Sequence, residues 1–240
     1  MLNTTSQGTG PRVVIAHGLF GSGRNWGVIA KRLADSFEVV TPDMRNHGSS
    51  PNYPTHSYED LAGDLAELGP AHFVGHSMGG KAVIALALTR PELVESLAVL
   101  DIAPTSYSHS QMGPLEAMRR ADLSGITRRS EVTLDGLDAG TAAFLLQSLD
   151  VEERRWRLNL DVLADEMPKI LGFPDLAGRY EGPALFLRGG KSAYVEHGHE
   201  DRIRTLFRAA RIETVDGAGH WLHADKPREV EAALRAFLTT

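Results

Sequence analysis

The sequence contains no cysteine, which excludes disulfide bonds, a thiolate nucleophile and a cysteine-ligated metal. It also lacks an apolar run near the ~18 residues that a membrane-spanning helix needs. Basic residues are outnumbered, with 25 Lys and Arg against 31 Asp and Glu and a formal net charge of -6. This acidic balance argues against nucleic acid or an anionic membrane as the main partner. Residues 1–11 are polar and show no secretory signal, so we expect a cytoplasmic protein.

The sequence does contain enough apolar residues for one sizeable core, since 42% of its 240 residues are apolar. In its first half, short apolar runs alternate with helical patterns. This alternation predicts an α/β fold, in which helices cover both faces of a mostly parallel central sheet. The predicted strands are residues 13–16, 37–40, 73–74 and 97–100, and the predicted helices are 25–33, 57–68 and 81–90.

The pattern changes after Asp101. Residues 104–180 lack strong strand signals and carry amphipathic helical patterns, of which 151–167 is the clearest. Alternation then resumes, with predicted strands at 184–187 and 212–215 and a closing helix at 228–238. We therefore expect a core formed by residues 1–103 and 181–240. A helical lid, residues 104–180, is inserted before the penultimate strand of that core.

The pentapeptide Gly75-His76-Ser77-Met78-Gly79 lies between a predicted strand and a predicted helix. A G-x-S-x-G motif in this context is typical of a nucleophile elbow. The glycines leave room for a sharp turn, and the turn exposes the Ser77 hydroxyl at a helix N-terminus, which favours negative charge. Ser77 is therefore the predicted nucleophile.

Serine needs a neighbouring base. Of the ten histidines, His220 is the best candidate, because it follows the last predicted strand within a loop of small residues and comes after the serine in chain order. Four others have structural interpretations. His17 braces a turn, His76 flanks the nucleophile but points away from it, and His47 and His223 lie beside turns.

The acid that orients this base is harder to assign. Enzymes of the predicted fold commonly carry this acid after the strand that follows the lid, but the sequence there has Ser192 in place of a carboxylate. Asp101 ends the preceding strand of the sheet and can approach the same imidazole, so it is the predicted acid, unless it only caps the first lid turn. Glu196 and Asp201 are the alternatives. Ser192 is predicted to hydrogen-bond the acid or the imidazole.

The predicted oxyanion hole uses two backbone N–H groups, from Met78 and from Leu19 in the loop 17–21. An apolar acyl pocket is expected around them. Its predicted substrate-binding residues are Phe20, His76, Trp156 and Trp221.

Two features suggest other sites. The segment 196–201 is rich in His and acidic residues, but sequence neighbours of this kind usually form a solvated helix start, and we predict no metal. Paired arginines in the lid could bind phosphates; because acidic residues accompany them, we interpret most as exposed ion pairs. These pairs are Arg119-Arg120, Arg128-Arg129 and Arg154-Arg155.

Together these residues resemble the α/β-hydrolase superfamily over essentially the whole chain. Within it, the sequence is most similar to the YbfF-type esterases and their mitochondrial relatives of the abhydrolase-11 kind. This resemblance implies the α/β-hydrolase fold, an acid on the strand before the lid and a Gly-Gly-x-Ser serine linked to the catalytic group. It therefore supports Asp101 and Ser192. The matching segments are 17–22, 43–48, 75–81, 101–104, 189–192 and 218–221.

The predicted function is a serine hydrolase that cleaves carboxylic esters of short to medium acyl chain through an acyl-enzyme intermediate, without a cofactor. Its expected partner is a small-molecule ester or thioester, and the oligomeric state is left open. An acyl-CoA thioesterase is the main alternative, motivated by the lid arginines. Perhydrolysis and carbon–carbon bond hydrolysis use similar residues, and a non-catalytic small-molecule receptor of the same fold is a further alternative.

Overall fold

A computed structural model of the chain describes residues 1–239; Thr240, the last residue of the predicted core, lies outside the described residues. Within that range seven strands form one sheet. The strands are β1 (Thr4–Gln7), β2 (Arg12–Ala16), β3 (Glu38–Pro42), β4 (Ala71–His76), β5 (Val94–Leu100), β8 (Ala184–Gly189) and β9 (Ala210–Val215). Their order in the sheet is β1-β3-β2-β4-β5-β8-β9, and every pair is parallel except β1 with β3.

Apolar side chains of the central strands are buried on both faces of the sheet. Phe73 and Val74, neighbours on β4, belong to two separate core clusters, one on each side. Such runs are typical of parallel strands covered by helices. The predicted mostly parallel sheet is confirmed. The sequence did not predict β1, because its residues are polar and largely exposed and only its pairing with β3 makes it a strand.

Helices cover both faces of the sheet, as predicted. Their bounds are α1 (Gly27–Leu33), α2 (Tyr58–Ala66), α3 (Met78–Thr89), α8 (His197–Leu206), α9 (Leu222–Asp225) and α10 (Pro227–Leu238). A capping box of Ser57 and Asp60 begins α2. The Asp60 N–H donates to Ser57 Oγ at 3.2 Å, and the Ser57 N–H donates to Asp60 Oδ2 at 3.1 Å. No helix within residues 1–239 is both long enough and apolar enough to cross a membrane.

A long segment between β5 and β8, called here the inserted segment (residues 104–180), forms a layer of short elements. They are α4 (Met112–Arg120), α5 (Ala139–Leu146), β6 (Leu149–Asp150), β7 (Arg155–Trp156), α6 (Leu160–Asp165) and α7 (Met167–Leu171). That the segment acts as a lid remains a prediction.

The predicted helix over 151–167 is wrong. Residues 149–156 form an antiparallel hairpin instead, and helix begins only at Leu160. The Asp150 carboxylate accepts hydrogen bonds from the Glu153 N–H at 3.2 Å and from Arg157 at 2.8 Å, and Arg154 adopts a positive φ of 50°. An aspartate that bonds the backbone this way offers an alternative to helix, and here it stabilises the turn.

Candidate active site

The nucleophile elbow joins β4 to α3. Ser77 occupies the turn with φ 52° and ψ -119°, a conformation that residues other than glycine rarely adopt. The turn depends on glycine at both flanks. A Cβ at Gly75 would clash with the Gly79 carbonyl, and a Cβ at Gly79 would clash with the carbonyls of Ala16 and His17. The sequence therefore has small residues where the backbones of β2, β4 and α3 approach most closely.

Three predicted residues lie in hydrogen-bonding contact. His220 Nε2 is 3.1 Å from Ser77 Oγ, and His220 Nδ1 is 2.8 Å from Asp101 Oδ2. Ser77 follows β4, Asp101 follows the neighbouring β5, and His220 lies in the loop after β9. Asp101 has no solvent exposure. The arrangement can transfer a proton from the serine hydroxyl to an imidazole whose other nitrogen is held by a buried carboxylate.

The Asp101 carboxylate has three hydrogen-bond donors. Its Oδ1 accepts from the Gly189 N–H at 2.9 Å. Its Oδ2 accepts from the Ser192 hydroxyl as well as from His220. Ser192, at the position after β8 where a carboxylate was expected, thus contacts the acid rather than the imidazole. The alternative acids lie elsewhere: Glu196 is the N-cap of α8 and Asp201 is exposed within it, and neither is hydrogen-bonded to His220 among the described residues.

An aromatic side chain that the sequence did not predict covers the imidazole. The Tyr194 ring stacks on the His220 ring with centroids 3.7 Å apart and an interplanar angle of 16°. Its backbone carbonyl accepts a hydrogen bond from the Tyr107 hydroxyl at 2.7 Å, and its own hydroxyl lies 2.8 Å from His109 Nε2. Burial raises the pKa of Tyr194. The only sequence signal is its position two residues after Ser192.

The loop 17–21 contains the predicted second oxyanion donor. A turn is closed by the Gly21 N–H, which donates to the Gly18 carbonyl at 3.1 Å, and Phe20 within it has a positive φ of 64°. The Leu19 N–H makes no hydrogen bond within residues 1–239. Met78 is the first residue of α3, so its N–H has no partner inside the helix. Both predicted donors are therefore available to a ligand.

Two buried histidines hold this loop. His17 donates from Nδ1 to the Gly18 carbonyl at 2.8 Å and accepts the Met44 N–H at Nε2, at 2.9 Å. His47 Nε2 accepts the Phe20 N–H at 3.1 Å. Because burial lowers the pKa of His17 and of His47, each ring is neutral and can accept a backbone N–H at Nε2.

His76, predicted to bind substrate, borders the cavity beside Ser77. Its Nε2–H donates to the backbone carbonyl of His220 at 2.8 Å. Burial and the neighbouring His223 hold the pKa of His76 well below its ordinary value. Its one clear polar contact therefore fixes the loop that carries His220.

A cavity of about 310 Å³ opens over Ser77. The core supplies one side of it and the inserted segment the other. Phe20 and Trp221, both predicted to bind substrate, lie in its wall, and the Trp221 ring packs 5.2 Å from the ring of Phe144. The other apolar wall residues include Leu19, Ile102, Pro114, Leu145, Ile170 and Leu171.

The prediction that Trp156 binds substrate is wrong. It lies on β7, and its indole N–H donates to the Met118 carbonyl of α4 at 2.8 Å. It is not among the described residues that line the cavity. The hairpin that replaces the predicted helix directs this side chain into the packing of the inserted segment.

A buried lysine, Lys81, also borders the cavity and is 2% exposed. Its Nζ donates to the carbonyls of Leu171 at 2.9 Å and Gly172 at 2.6 Å, at the end of α7. It also lies 4.8 Å from the centre of the Tyr107 ring and 5.5 Å from that of Tyr58. No carboxylate within residues 1–239 forms an ion pair with it, and burial lowers its pKa to about 7.

Residues of the segment 196–201 and two arginines of the inserted segment form ion pairs with neighbouring side chains. Glu200 pairs with Arg188 and His197, and the described residues hold no group of three or more metal-ligating side chains. Arg119 pairs with Glu116 and Asp161, and Arg128 pairs with Glu131. None of the described cavity-lining residues is an arginine.

Comparison with known proteins extends these observations. The sequence pattern of the alpha/beta hydrolase family matches residues 13–233. The sn-1-specific diacylglycerol lipase ABHD11 of Mus musculus is 44% identical over 95% of this chain and 81% of its own length. Esterase YbfF of Escherichia coli is 37% identical over 94% of this chain and 92% of its own. A solved structure described as a marine microorganism esterase has a TM-score of 0.92 at 34% identity and covers 98% of both chains.

Proposed function

Because this chain belongs to the alpha/beta hydrolase family, as its motifs predicted, we propose that it hydrolyses carboxylic esters through an acyl-enzyme intermediate. The observation that carries the proposal is the continuous hydrogen-bonded series from Ser77 Oγ through His220 to the buried Asp101, at 3.1 and 2.8 Å. The printed names of its relatives, an esterase and a diacylglycerol lipase, support the same reaction class.

In the first step Ser77 Oγ attacks the ester carbonyl carbon while His220 Nε2 takes the hydroxyl proton. Asp101 holds the Nδ1–H and stabilises the imidazolium that forms. The N–H groups of Met78 and Leu19 bind the negative oxygen of the tetrahedral intermediate. His220 Nε2 then returns its proton to the departing alkoxide, and the acyl group remains on Ser77.

In the second step a water molecule replaces the alcohol. His220 Nε2 takes one proton from this water as its oxygen attacks the acyl carbon. Collapse of the second tetrahedral intermediate breaks the bond to Ser77 Oγ, which recovers the proton, and the carboxylic acid leaves. The Ser192 hydroxyl and the Gly189 N–H both donate to the Asp101 carboxylate, so they serve to fix it against the imidazole.

We propose acyl chains of short to medium length as substrates. The cavity of about 310 Å³ lies at the lower end of the range, ~300–1,000 Å³, that is usual for small-molecule sites. Its wall is mostly apolar and includes Phe144 and Leu145 from the inserted segment. The segment is thus proposed to act as a lid that covers the acyl group. The acyl-CoA alternative lacks such support, since none of the arginines that motivated it is among the described residues that line the cavity, and Arg119 and Arg128 pair with acidic residues.

Labelling with a fluorophosphonate probe tests the reaction class. The parent chain should react covalently, Ser77→Ala should not, and Ser124→Ala, which changes an exposed serine, should react like the parent. A panel of nitrophenyl esters and CoA thioesters of the same acyl groups then separates the two chemistries. A parent chain that neither labels nor turns over any ester would favour the receptor alternative and refute the proposal.

A further inference from the structure

Three successive peptide groups of the loop 17–21, called here the oxyanion loop, are each held by a different residue. The Gly18–Leu19 peptide is held at its carbonyl by His17, and the Leu19–Phe20 peptide at its N–H by His47. The Phe20–Gly21 peptide is held at its carbonyl by the Ser148 hydroxyl, at 2.7 Å. Ser148 belongs to the inserted segment, whereas the two histidines belong to the core.

The hydrogen bond from Ser148 to the Phe20 carbonyl restrains the direction of the Leu19 N–H through rigid groups. Because a peptide is planar and trans, fixing the Phe20 carbonyl also fixes the direction of the Gly21 N–H. That N–H donates to the Gly18 carbonyl at 3.1 Å. The Gly18 carbonyl and the Leu19 N–H are opposite ends of one peptide, so holding the first orients the second. Two planar groups and one hydrogen bond thus separate Ser148 from the predicted oxyanion donor.

The loop needs such support because of its conformation. Phe20 has a φ of 64°, which is unfavourable for a residue with a Cβ, so contacts from outside the turn help to keep it in this conformation. Ser148 is well fixed in turn. It is 8% exposed, its N–H donates to the Leu145 carbonyl at 2.9 Å, and its carbonyl accepts the Arg157 N–H at 2.8 Å. Leu145 itself lines the cavity.

We infer that Ser148 is a positioning residue for the oxyanion hole, through which the inserted segment orients the Leu19 N–H toward the reacting carbonyl. The inference rests on the proposed ester hydrolysis. The inserted segment, which is proposed to cover the acyl group, then also keeps the oxyanion hole in position to stabilise the transition state. A displacement of α5 relative to the core would reduce the rate of the chemical step, and not only substrate retention.

A neighbouring contact supplies a matched control. Asn25 Nδ2 donates to Gln147 Oε1 at 2.9 Å, which also joins the core to the inserted segment one residue away. It touches none of the three peptides. Asn25 Oδ1 accepts the N–H of Ser22, the residue that follows the oxyanion loop, at 2.7 Å, but Gln147 is bonded to the amide nitrogen of Asn25. Gln147→Ala therefore removes a hydrogen bond between the same two parts of the chain and keeps the Ser148 contact with the Phe20 carbonyl.

The test compares Ser148→Ala with Gln147→Ala by steady-state kinetics and by inhibition. An alkyl trifluoromethyl ketone, which forms a tetrahedral adduct with the serine, reports on the oxyanion hole, and the corresponding secondary alcohol reports on ground-state binding. Ser148→Ala should lower kcat about ten-fold, as expected for one buried hydrogen bond acting indirectly on a donor, and should weaken the ketone by the same factor. KM and the affinity for the alcohol should stay within two-fold of the parent.

Two further variants distinguish loss of the hydroxyl from a folding defect of the Ser148→Ala protein. Ser148→Thr retains the hydroxyl and should restore kcat, whereas Ser148→Cys keeps the volume with a weak donor and should fall between parent and alanine. The inference is overturned if Ser148→Ala retains the kcat and ketone affinity of Gln147→Ala, or if its loss is confined to KM. A parent that hydrolyses no ester and does not label at Ser77 refutes the proposed function itself, a result distinct from an active parent that is insensitive at position 148.

Discussion

Replacing Lys81 with methionine should change how stability depends on pH. The ammonium is almost fully buried between α3 and α7, where it has two carbonyl acceptors and two aromatic rings but no carboxylate partner within residues 1–239. The titratable groups around it are Tyr58, Tyr107 and His109. Burial raises the pKa of both tyrosines and lowers that of His109, so all three are neutral where Lys81 titrates.

The size and sign of the effect follow from the two pKa values. Burial lowers the pKa of Lys81 in the folded chain from 10.5 to about 7. Below pH 7 both states are protonated, and the folded state bears the full cost of a buried charge. Between about pH 7 and 10.5 the unfolded chain binds more protons, so the free energy of unfolding rises with pH. The whole span corresponds to at most about 5 kcal/mol, and the part between pH 7 and 9.5 to about 3 kcal/mol.

Urea unfolding at several pH values measures this effect. The parent should gain stability relative to Lys81→Met as the pH rises from 7 to 9.5, because methionine keeps the unbranched apolar stem but cannot titrate. All other titrating groups cancel in the difference between the two proteins. Lys31→Met, which changes an exposed lysine of α1, should show no such trend.

A stability difference that stays constant from pH 7 to 9.5 would refute this reasoning. It would mean that the Leu171 and Gly172 carbonyls and the two rings stabilise the ammonium enough to offset its desolvation. A gain well below 3 kcal/mol but clearly above zero would measure how far they do so.

Three further predictions concern the site. Asp101→Asn should lower kcat about 10,000-fold by removing the charge that holds the His220 Nδ1–H, and Ser192→Ala only about ten-fold; equal losses on a nitrophenyl ester would contradict this ranking. Tyr194→Ala should lower kcat up to ten-fold by removing the stack on His220, with Tyr194→Phe near the parent; equal losses in the two variants would refute the stack as the cause. Gly79→Ala should lower the free energy of unfolding by about 1–3 kcal/mol, measured by urea unfolding, whereas Gly113→Ala, whose Cβ meets no atom within 4 Å, should not destabilise.

Features that depend on local sequence were the ones that could be predicted. The elbow needs glycines at fixed offsets from Ser77, and the central strands need continuous apolar runs, so both can be recognised in the amino-acid sequence. The strand Thr4–Gln7 and the hairpin of residues 149–156 are not. The first is a strand only because β3 lies beside it, and the second depends on contacts of Asp150 that outweigh a helical pattern.

The residues of the site fall into the same two groups, those that the sequence predicts and those that it does not. Chain order and strand ends were enough to suggest Ser77, Asp101 and His220, which lie in contact in the structure. Ser148 and Tyr194 lie in no motif, and Lys81 ends the matching segment 75–81 without a predicted role. The positions of all three matter only through the folding of the inserted segment against the core. Trp156 was misplaced for the same reason, since its direction depends on a hairpin that the sequence pattern did not indicate.

The order of the chemical groups along the chain bears on how such a protein could be diversified. Ser77 and Asp101 both precede the inserted segment in the chain, and of the three hydrogen-bonded groups only His220 follows it. A different inserted segment could therefore alter substrate preference while Ser77, Asp101 and His220 stay in place. By the inference drawn above, the new segment would still need one serine or threonine whose hydroxyl donates to the Phe20 carbonyl.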